Sequence, residues 1–320
     1  MSRIVFGAAR LRSRRVLRSV QTRALRARAF ALLDRALELG VNAFDTAAIY
    51  ELGDSERTLG EWIRERGVRD RVVVITKGGH ASFGRSRVSP PQIQTDLEAS
   101  LRRLGTERVD VYLVHADDPR AAVGPLVDAL EAQRRSGKLL VWGVSNWQAD
   151  RVEEANNYAA AVRASGVAVS SPQLSLCTWA ASPWPGCHSI GGRAGREERA
   201  FYRRSRLPVL AWSPLGGGFF SGRFEAGRRP RPRSAWERAC VRAYCHETNF
   251  ARLARARELA ERRGLSPAQI ALAFVLHREL DVFAVVGAST PDRLRDDAAA
   301  CGVRLDPEEQ AWLEPDEGAR

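Results

Sequence analysis

The stretch FDTAAIY, from Phe44 to Tyr50, decides the fold, because an apolar run suited to a buried strand leads directly into an aspartate and a tyrosine. Helical patterns separate it from three later stretches with the same layout. These stretches and their polar groups are VITKGG with Lys77, YLVHADDP with His115, and GVSNW with Ser145 and Asn146. Polar groups at the C-terminal ends of successive strands form the active site of a (β/α)8 barrel. The sequence therefore predicts an α/β protein with a TIM-barrel fold.

Eight segments are rich in Val, Leu or Ile and nearly continuous in apolar character, as expected of strands buried on both faces of a parallel barrel. They are residues 4–7, 41–46, 72–77, 109–115, 140–145, 167–173, 208–213 and 282–287. Residues 28–40 form an amphipathic helical pattern that ends at Gly40, and Ser89-Pro90 and Ser266-Pro267 are typical helix starts. We expect one barrel domain over residues 1–320, with long loops at 179–199 and 219–239 after strands six and seven.

The chain is strongly basic, with 50 Lys and Arg residues against 38 Asp and Glu residues and a net charge of +12. Codon bias toward arginine on solvated faces is one explanation. Attraction of an anionic ligand such as a phosphorylated cofactor is another. Nucleic-acid binding is a third, but the arginines are not interleaved with aromatic residues as a stacking platform requires. No nucleic-acid partner is therefore expected.

The five cysteines and five histidines form no metal-binding pattern: CxxC, HxH and HExxH are all absent from the sequence. The cysteines are also too few and too irregular for a disulfide framework, and no metal site is expected. We find no apolar run long enough to span a membrane. The sequence favours a cytoplasmic protein in a reducing compartment. An arginine-rich, acid-poor N-terminus resembles a transit peptide, but cleavage there would remove the first predicted strand.

From about Ile4 to about Asp297 the chain resembles the aldo-keto reductase family. The resemblance rests on motifs in the family's order: FDTAxxY, TK and xxH after strands, GVSN, a strand ending in Gln, xWSPLG and a late VVGAST. It implies a (β/α)8 barrel that binds NADP(H) or NAD(H) without a Rossmann domain. The sequence agrees, because no GxGxxG motif occurs between a strand and a helix.

The resemblance assigns four catalytic residues. Tyr50 would be the general acid that protonates a carbonyl oxygen. A phenol has a pKa of about 10, so it needs a nearby cation, which Lys77 would supply. Asp45 would hold Lys77 in place and keep it protonated. His115 would donate a hydrogen bond to the substrate oxygen.

The resemblance also implies cofactor contacts along the later strands. Ser145, Asn146 and Gln173 would bind the nicotinamide carboxamide, and Trp212 would stack on the nicotinamide ring. The residues of the WSPLGGG loop that would approach the pyrophosphate are Ser213, Leu215 and Gly217.

The segment VVGASTPDRLRDD matches the family's adenosine-phosphate segment. Ser289, Thr290 and Arg293 would meet a 2′-phosphate, and Asp297 would lie against the adenine. Relatives often carry a basic residue where this chain has Gly287 or Ser289. The resemblance therefore favours NADP(H) and leaves NAD(H) possible.

Two function classes follow. The first is an NAD(P)H-dependent reductase that converts an aldehyde or ketone to an alcohol, or runs the reverse oxidation. Its partner is a small-molecule carbonyl or alcohol substrate. The second is a nucleotide-binding regulatory subunit, because the family includes β subunits of potassium channels. The sequence predicts neither the substrate's identity nor the oligomeric state.

Overall fold

The computed structural model describes residues 1–15, 20–81, 85–227, 230–232 and 234–314, with residues 14, 15, 20 and 21 given by their backbone alone. Parts of the arginine-rich N-terminal segment and of the predicted loop 219–239 therefore lie outside the described residues. The strands are β1 (Ile4–Gly7), β2 (Arg14–Arg15), β3 (Val20–Gln21), β4 (Ala43–Asp45), β5 (Val73–Gly78), β6 (Val109–Val114), β7 (Leu139–Ser145), β8 (Ser170–Ser171), β9 (Val209–Trp212) and β10 (Val282–Val286). The helices are α1 (Arg23–Glu38), α2 (Asp54–Arg66), α3 (Pro90–Leu104), α4 (Val123–Arg135), α5 (Ala149–Ala161), α6 (Arg196–Ser205), α7 (Ala235–Tyr244), α8 (Glu247–Arg263), α9 (Pro267–Leu276), α10 (Pro291–Ala299) and α11 (Pro307–Leu313).

The strands β1 and β4 to β10 close into a barrel in the order β1-β10-β9-β8-β7-β6-β5-β4. Pairing is parallel from β1 through β4 and on to β8, and again between β9 and β10. The TIM-barrel prediction is confirmed, and each of the eight predicted segments overlaps one barrel strand, with β5 and β7 each extending one residue beyond the predicted bounds. The sixth strand is shorter than predicted, because only Ser170 and Ser171 pair as a strand before Pro172, which has no N–H to donate. The antiparallel hairpin of β2 and β3 was not predicted.

The chain divides into two compact units, the first of which comprises Met1–Ser171 and Gly287–Leu294. In this unit Phe44 of β4 packs between two other buried rings, with centroid distances of 6.0 Å to Phe6 and 5.1 Å to Trp62. The side chain of Thr22 caps α1 by accepting from the Leu25 amide. The packing of Phe44 against Phe6 and Trp62 holds β4 in place, and the C-terminal end of β4 carries Asp45.

The second unit comprises Pro172–Val286 and Arg295–Arg320. Ser266 is the N-cap of α9, as the helix-start signal predicted, and it also forms a reciprocal capping box with Gln269. Phe219 is fully buried, and its ring centroid lies 5.1 Å from that of Phe250. The single-domain prediction for residues 1–320 remains a prediction.

No helix in the described part of the chain is both long enough and apolar enough to cross a membrane.

Candidate active site

Lys77 of β5 is the centre of the polar cluster in the first unit. Its Nζ lies 2.6 Å and 2.7 Å from the two carboxylate oxygens of Asp45, at the end of β4. It also donates to the carbonyl oxygen of Thr46 at 2.9 Å and to the hydroxyl of Tyr50 at 3.3 Å. The lysine side chain is 4% exposed. Three residues that the sequence placed at two strand ends therefore share one desolvated site.

The electrostatics of this cluster favour a charged lysine. Burial by itself lowers the pKa of Lys77, but the charges of Asp45 and Tyr50 and their hydrogen bonds raise it above its ordinary value. Burial raises the pKa of the Asp45 carboxyl, and the ammonium of Lys77 opposes that shift. A fixed ammonium next to a phenol stabilises the phenolate, so the cluster is suited to release a proton from Tyr50.

Tyr50 projects from a turn that lies between β4 and α2. The backbone amide of Ala48 donates to the carbonyl oxygen of Lys77 at 3.0 Å, which ties this segment to β5. Directly after Tyr50, Glu51 and Leu52 have φ values of 48° and 54°. This left-handed conformation is unfavourable for residues with a β-carbon. Strained backbone beside a functional side chain is common where the surrounding structure determines its position.

His115 follows β6, and its backbone is held at both ends. Its amide donates to the Gly78 carbonyl at 2.8 Å, and its carbonyl accepts from the Asn146 side chain at 3.2 Å. Its ring centroid lies 5.8 Å from that of Tyr50, with the rings nearly perpendicular. Burial, and then the charge of Lys77 and the neighbouring His80, hold the pKa of His115 well below its ordinary value. His115 is therefore a neutral imidazole near pH 7 and is suited to donate a hydrogen bond.

His80 is a site residue that sequence reasoning missed. Its ring centroid lies 5.1 Å from that of His115, with an angle of 67° between the two rings. The sequence carried one weak signal for it, namely its position three residues after Lys77 at the end of a barrel strand. The resemblance assigned no role to this position.

Ser145 and Asn146 lie at the C-terminal end of β7, as predicted. The Ser145 hydroxyl donates to the Ser171 carbonyl at 3.0 Å and accepts from the Asn146 amide at 3.0 Å. The Asn146 amide thus donates to both Ser145 and His115, and the Asn146 backbone has a φ of 62°. These bonds fix Asn146 next to His115 in the first unit.

Ser289, Thr290 and Arg293 are exposed at the N-terminal end of α10. The Thr290 hydroxyl accepts from the Arg293 amide at 3.3 Å, and the Ser289 carbonyl accepts from the guanidinium of Arg28 at 3.0 Å. Arg28 lies on α1, and the sequence had given no reason to connect it with this segment. A helix N-terminus with two nearby guanidinium groups has the donors that a phosphate requires. The residues here therefore fit the phosphate of a dinucleotide.

In the second unit, Gln173 is fully buried, and its amide is engaged within the protein. It donates to the Ser175 hydroxyl at 2.8 Å and accepts from the Ser189 hydroxyl at 2.6 Å. Trp212 is half-buried, with ring centroids 5.8 Å from Trp179 and 6.3 Å from Trp184. Trp179 and Trp184 both belong to the long loop 179–199 that the sequence predicted after strand six. The structure adds that two of its tryptophans pack around Trp212.

The WSPLGGG loop turns sharply after β9. Ser213 has a φ of 49°, and its carbonyl accepts from the Gly216 amide at 2.9 Å. A β-carbon at Gly217 would lie 2.6 Å from the Cys240 sulfur, so packing inside this unit already requires a glycine there. Leu215 is half-buried in the same turn.

Asp297, which the resemblance places against the adenine, is buried on α10.

Within the described residues, no group of three or more His, Cys, Asp or Glu side chains is arranged to hold a metal ion.

Comparison with known protein families supports the resemblance found in the sequence. A model of the aldo/keto reductase family matches residues 3–314, nearly the whole chain. The chain belongs to the aldo/keto reductase family. Membership places it among oxidoreductases that act on carbonyl groups.

Two curated relatives of this aldo/keto reductase differ in their described roles. A norsolorinic acid reductase of Emericella nidulans is 30% identical over 301 residues, which cover 88% of this chain and 70% of the relative. A putative voltage-gated potassium channel subunit beta of Schizosaccharomyces pombe is 28% identical over 285 residues, which cover 84% and 77%.

A solved structure shows the same fold. The crystal structure of an aldo-keto reductase from Klebsiella pneumoniae in complex with NADPH matches 97% of this chain and 89% of that chain. The TM-score is 0.69, and the sequence identity is 24%.

Proposed function

We propose that this aldo/keto reductase is an NADP(H)-dependent enzyme that reduces an aldehyde or ketone to an alcohol, or runs the reverse oxidation. One observation carries the proposal. The ammonium of Lys77 lies 3.3 Å from the Tyr50 hydroxyl and is held by both carboxylate oxygens of Asp45. This is the arrangement that a phenolic proton donor needs at neutral pH.

The residues of the first unit supply the protein's part of the reaction. Bound NADPH supplies the hydride. Tyr50 donates its proton to the carbonyl oxygen as that oxygen becomes an alkoxide, and Lys77 stabilises the resulting phenolate. Neutral His115 donates a hydrogen bond that positions the same oxygen. In the reverse direction the Tyr50 phenolate accepts the proton from the alcohol.

The preference for NADP(H) rests on the exposed start of α10. Arg293 supplies a fixed charge for a 2′-phosphate, Ser289 and Thr290 supply hydroxyl groups, and Arg28 adds a second guanidinium. The NADPH-bound structure of the Klebsiella protein supports this choice. We assign the nicotinamide to Ser145, Asn146, Gln173 and Trp212, and Gln173 has to exchange its bonds to Ser175 and Ser189 for this contact, because its side chain is fully buried. The pyrophosphate is assigned to Ser213, Leu215 and Gly217, and the adenine to Asp297.

Loss of NADPH absorbance with a panel of aldehydes tests this function. Tyr50→Phe removes only the hydroxyl, so we expect kcat to fall by about 10²- to 10⁴-fold, the usual contribution of a general acid, with NADPH affinity retained. Tyr158→Phe on α5 is the matched control, since this hydroxyl bonds Asp128 instead. NADH measured in parallel tests the 2′-phosphate assignment. Wild-type rates in Tyr50→Phe would rule out the assigned role of Tyr50.

A nucleotide-binding regulatory subunit is the second candidate, favoured by the likeness to the Schizosaccharomyces pombe channel subunit. It predicts tight NADPH binding without turnover of any carbonyl in the panel. Capture of a membrane-channel partner by the nucleotide-bound chain would then support it.

A further inference from the structure

The ring of His115 lacks the polar partner that usually fixes a catalytic imidazole. Its Nδ1 atom is shielded from solvent and has no hydrogen-bond partner among the described residues. The backbone of His115 is anchored through Gly78 and Asn146, but those bonds do not determine the rotation of the ring. A neutral imidazole has two tautomers, and a hydrogen bond at the second nitrogen normally selects one of them. Something else must therefore orient this ring.

Two aromatic rings contact His115 at edge-on angles. Tyr50 lies 5.8 Å away at 84°, and His80 lies 5.1 Å away at 67°, measured between ring centroids. Both distances fall in the range where edge-to-face aromatic pairs are favourable. Since Tyr50 is itself the proton donor, His80 is the contact that takes no direct part in the reaction.

The position of His80 is determined by the loop that follows β5. Gly79 has a φ of 79°, which turns the chain, and its amide donates to the Asp96 carboxylate on α3 at 2.9 Å. The same carboxylate pairs with Arg87. The His80 ring is held in turn through a hydrogen bond of 2.9 Å between its Nδ1 and the Ala81 carbonyl. An exposed histidine at a loop is normally mobile, but this one is constrained from both sides.

We propose that His80 is a positioning residue, whose ring holds the ring of His115 in one orientation for hydrogen bonding to the substrate oxygen. The inference rests on the proposed function for its catalytic consequence. The effect of His80 on the orientation of the His115 ring can be measured without turnover. A small displacement of a positioning group costs up to about 10²-fold in rate, so loss of the His80 ring affects kcat.

Nitrogen NMR of ¹⁵N-histidine-labelled protein tests the effect of His80 on the His115 ring. His115→Asn assigns the His115 ring signals among the five histidines. We expect a single sharp set of His115 ring signals in the wild type and in His80→Phe, which retains a ring. In His80→Ala we expect these signals to broaden, because the His115 ring exchanges between orientations. Sharp, unshifted His115 ring signals in His80→Ala, or an equal disturbance in both variants, would overturn the proposal.

Kinetics with NADPH and an aldehyde test the consequence. We expect kcat to fall about tenfold in His80→Ala, with the NADPH affinity and the melting temperature close to those of the wild type. His80→Phe should recover most of the loss. If the wild type turns over no carbonyl, the proposed function fails, and the NMR result still decides the role of His80. If the wild type is active and both variants match it, the role of His80 fails alone.

Discussion

At the scale of single residues, the buried pair of Asp45 and Lys77 carries a large desolvation cost. Removing two charges from water carries a penalty of several kcal/mol per ion. Contacts of 2.6 Å and 2.7 Å and the further bonds from Lys77 to Thr46 and Tyr50 offset it. Replacing the pair by apolar residues would avoid the penalty. A positioned cation beside Tyr50 is the chemical reason to keep it.

Asp45→Asn is predicted to change the pH dependence of turnover. The charge of Asp45 raises the pKa of Lys77 while burial lowers it, so its removal moves that pKa down. The proposed mechanism needs a protonated Lys77, so it predicts that activity is lost as pH rises through this pKa. The alkaline fall in kcat/KM should therefore begin at lower pH in the variant. Asp45→Glu, which keeps the charge, is the control, and an unshifted alkaline limb in Asp45→Asn would contradict the assignment.

Leu52→Gly is predicted to stabilise the protein. Leu52 is 72% exposed and has a φ of 54°, so glycine relieves left-handed strain with little loss of burial. We expect a gain of about 0.5–1 kcal/mol in the free energy of unfolding, after allowance for the greater flexibility of unfolded glycine. Urea denaturation measures it. Leu140→Gly, at a 48%-exposed strand position, is the matched control and should destabilise. Loss of stability in Leu52→Gly would show that the turn is not strained.

At the scale of elements, the packing of α2 against α3, and not helix propensity, determines which residue is favoured at position 60. Gly60 lies inside α2, where alanine would normally be preferred by about 1 kcal/mol. A β-carbon at Gly60 would lie 2.0 Å from the Leu104 carbonyl oxygen at the end of α3. Because that atom belongs to the backbone, the two helices have to separate to admit it.

Gly60→Ala is therefore predicted to destabilise the protein, against its helix propensity. We expect a loss of about 1–3 kcal/mol in the free energy of unfolding, as for other overpacked cores. The midpoint of urea denaturation measures the change. Gly302→Ala is the control, because a β-carbon there meets nothing within 4 Å. A Gly60→Ala variant as stable as the wild type would contradict the close approach of the two helices.

Sequence reasoning at this scale succeeded where the signal was local. The apolar runs marked all eight barrel strands, because strands covered on both faces are apolar at nearly every position. Ser266 is the N-cap of α9, as its Ser-Pro signal predicted. The Ser89 hydroxyl instead donates to the Gln92 side chain at 3.0 Å, although Ser89 does precede α3. Whether a serine before a helix bonds a backbone amide, as Ser266 does, or a neighbouring side chain, as Ser89 does, depends on side-chain geometry, which residue type alone does not determine.

At the scale of the whole molecule, the arginines that give the net charge of +12 are spread along the chain. Many arginines pair with carboxylates near the surface, such as Arg66 with Asp34 at 2.8 Å and Arg263 with Glu309 at 3.0 Å. Exposed pairs of this kind contribute about 0–1 kcal/mol each. The excess arginine therefore acts chiefly through the long-range electrostatic field of the protein, which attracts anions.

The basic charge is predicted to cause weak DNA binding that depends on salt and not on sequence. Attraction between a polyanion and spread positive charge falls steeply between low and physiological salt of about 0.15 M. Fluorescence anisotropy with two unrelated DNA duplexes measures it. We expect equal affinities for both duplexes at low salt and loss of binding near 0.15 M. Tight, sequence-dependent binding at that salt would revive the nucleic-acid alternative.

The sequence by itself determined the barrel class, the eight strands and the strand-end positions of Asp45, Lys77 and His115. Apolar periodicity and the order of polar groups are local properties of the chain. Only the tertiary structure decided the bond of 3.3 Å from Lys77 to Tyr50 and the contact of His80 with His115. It also decided the internal partners of Gln173 and the place of Arg28 beside α10. These depend on strand register and packing between residues far apart in the chain, which no short segment encodes.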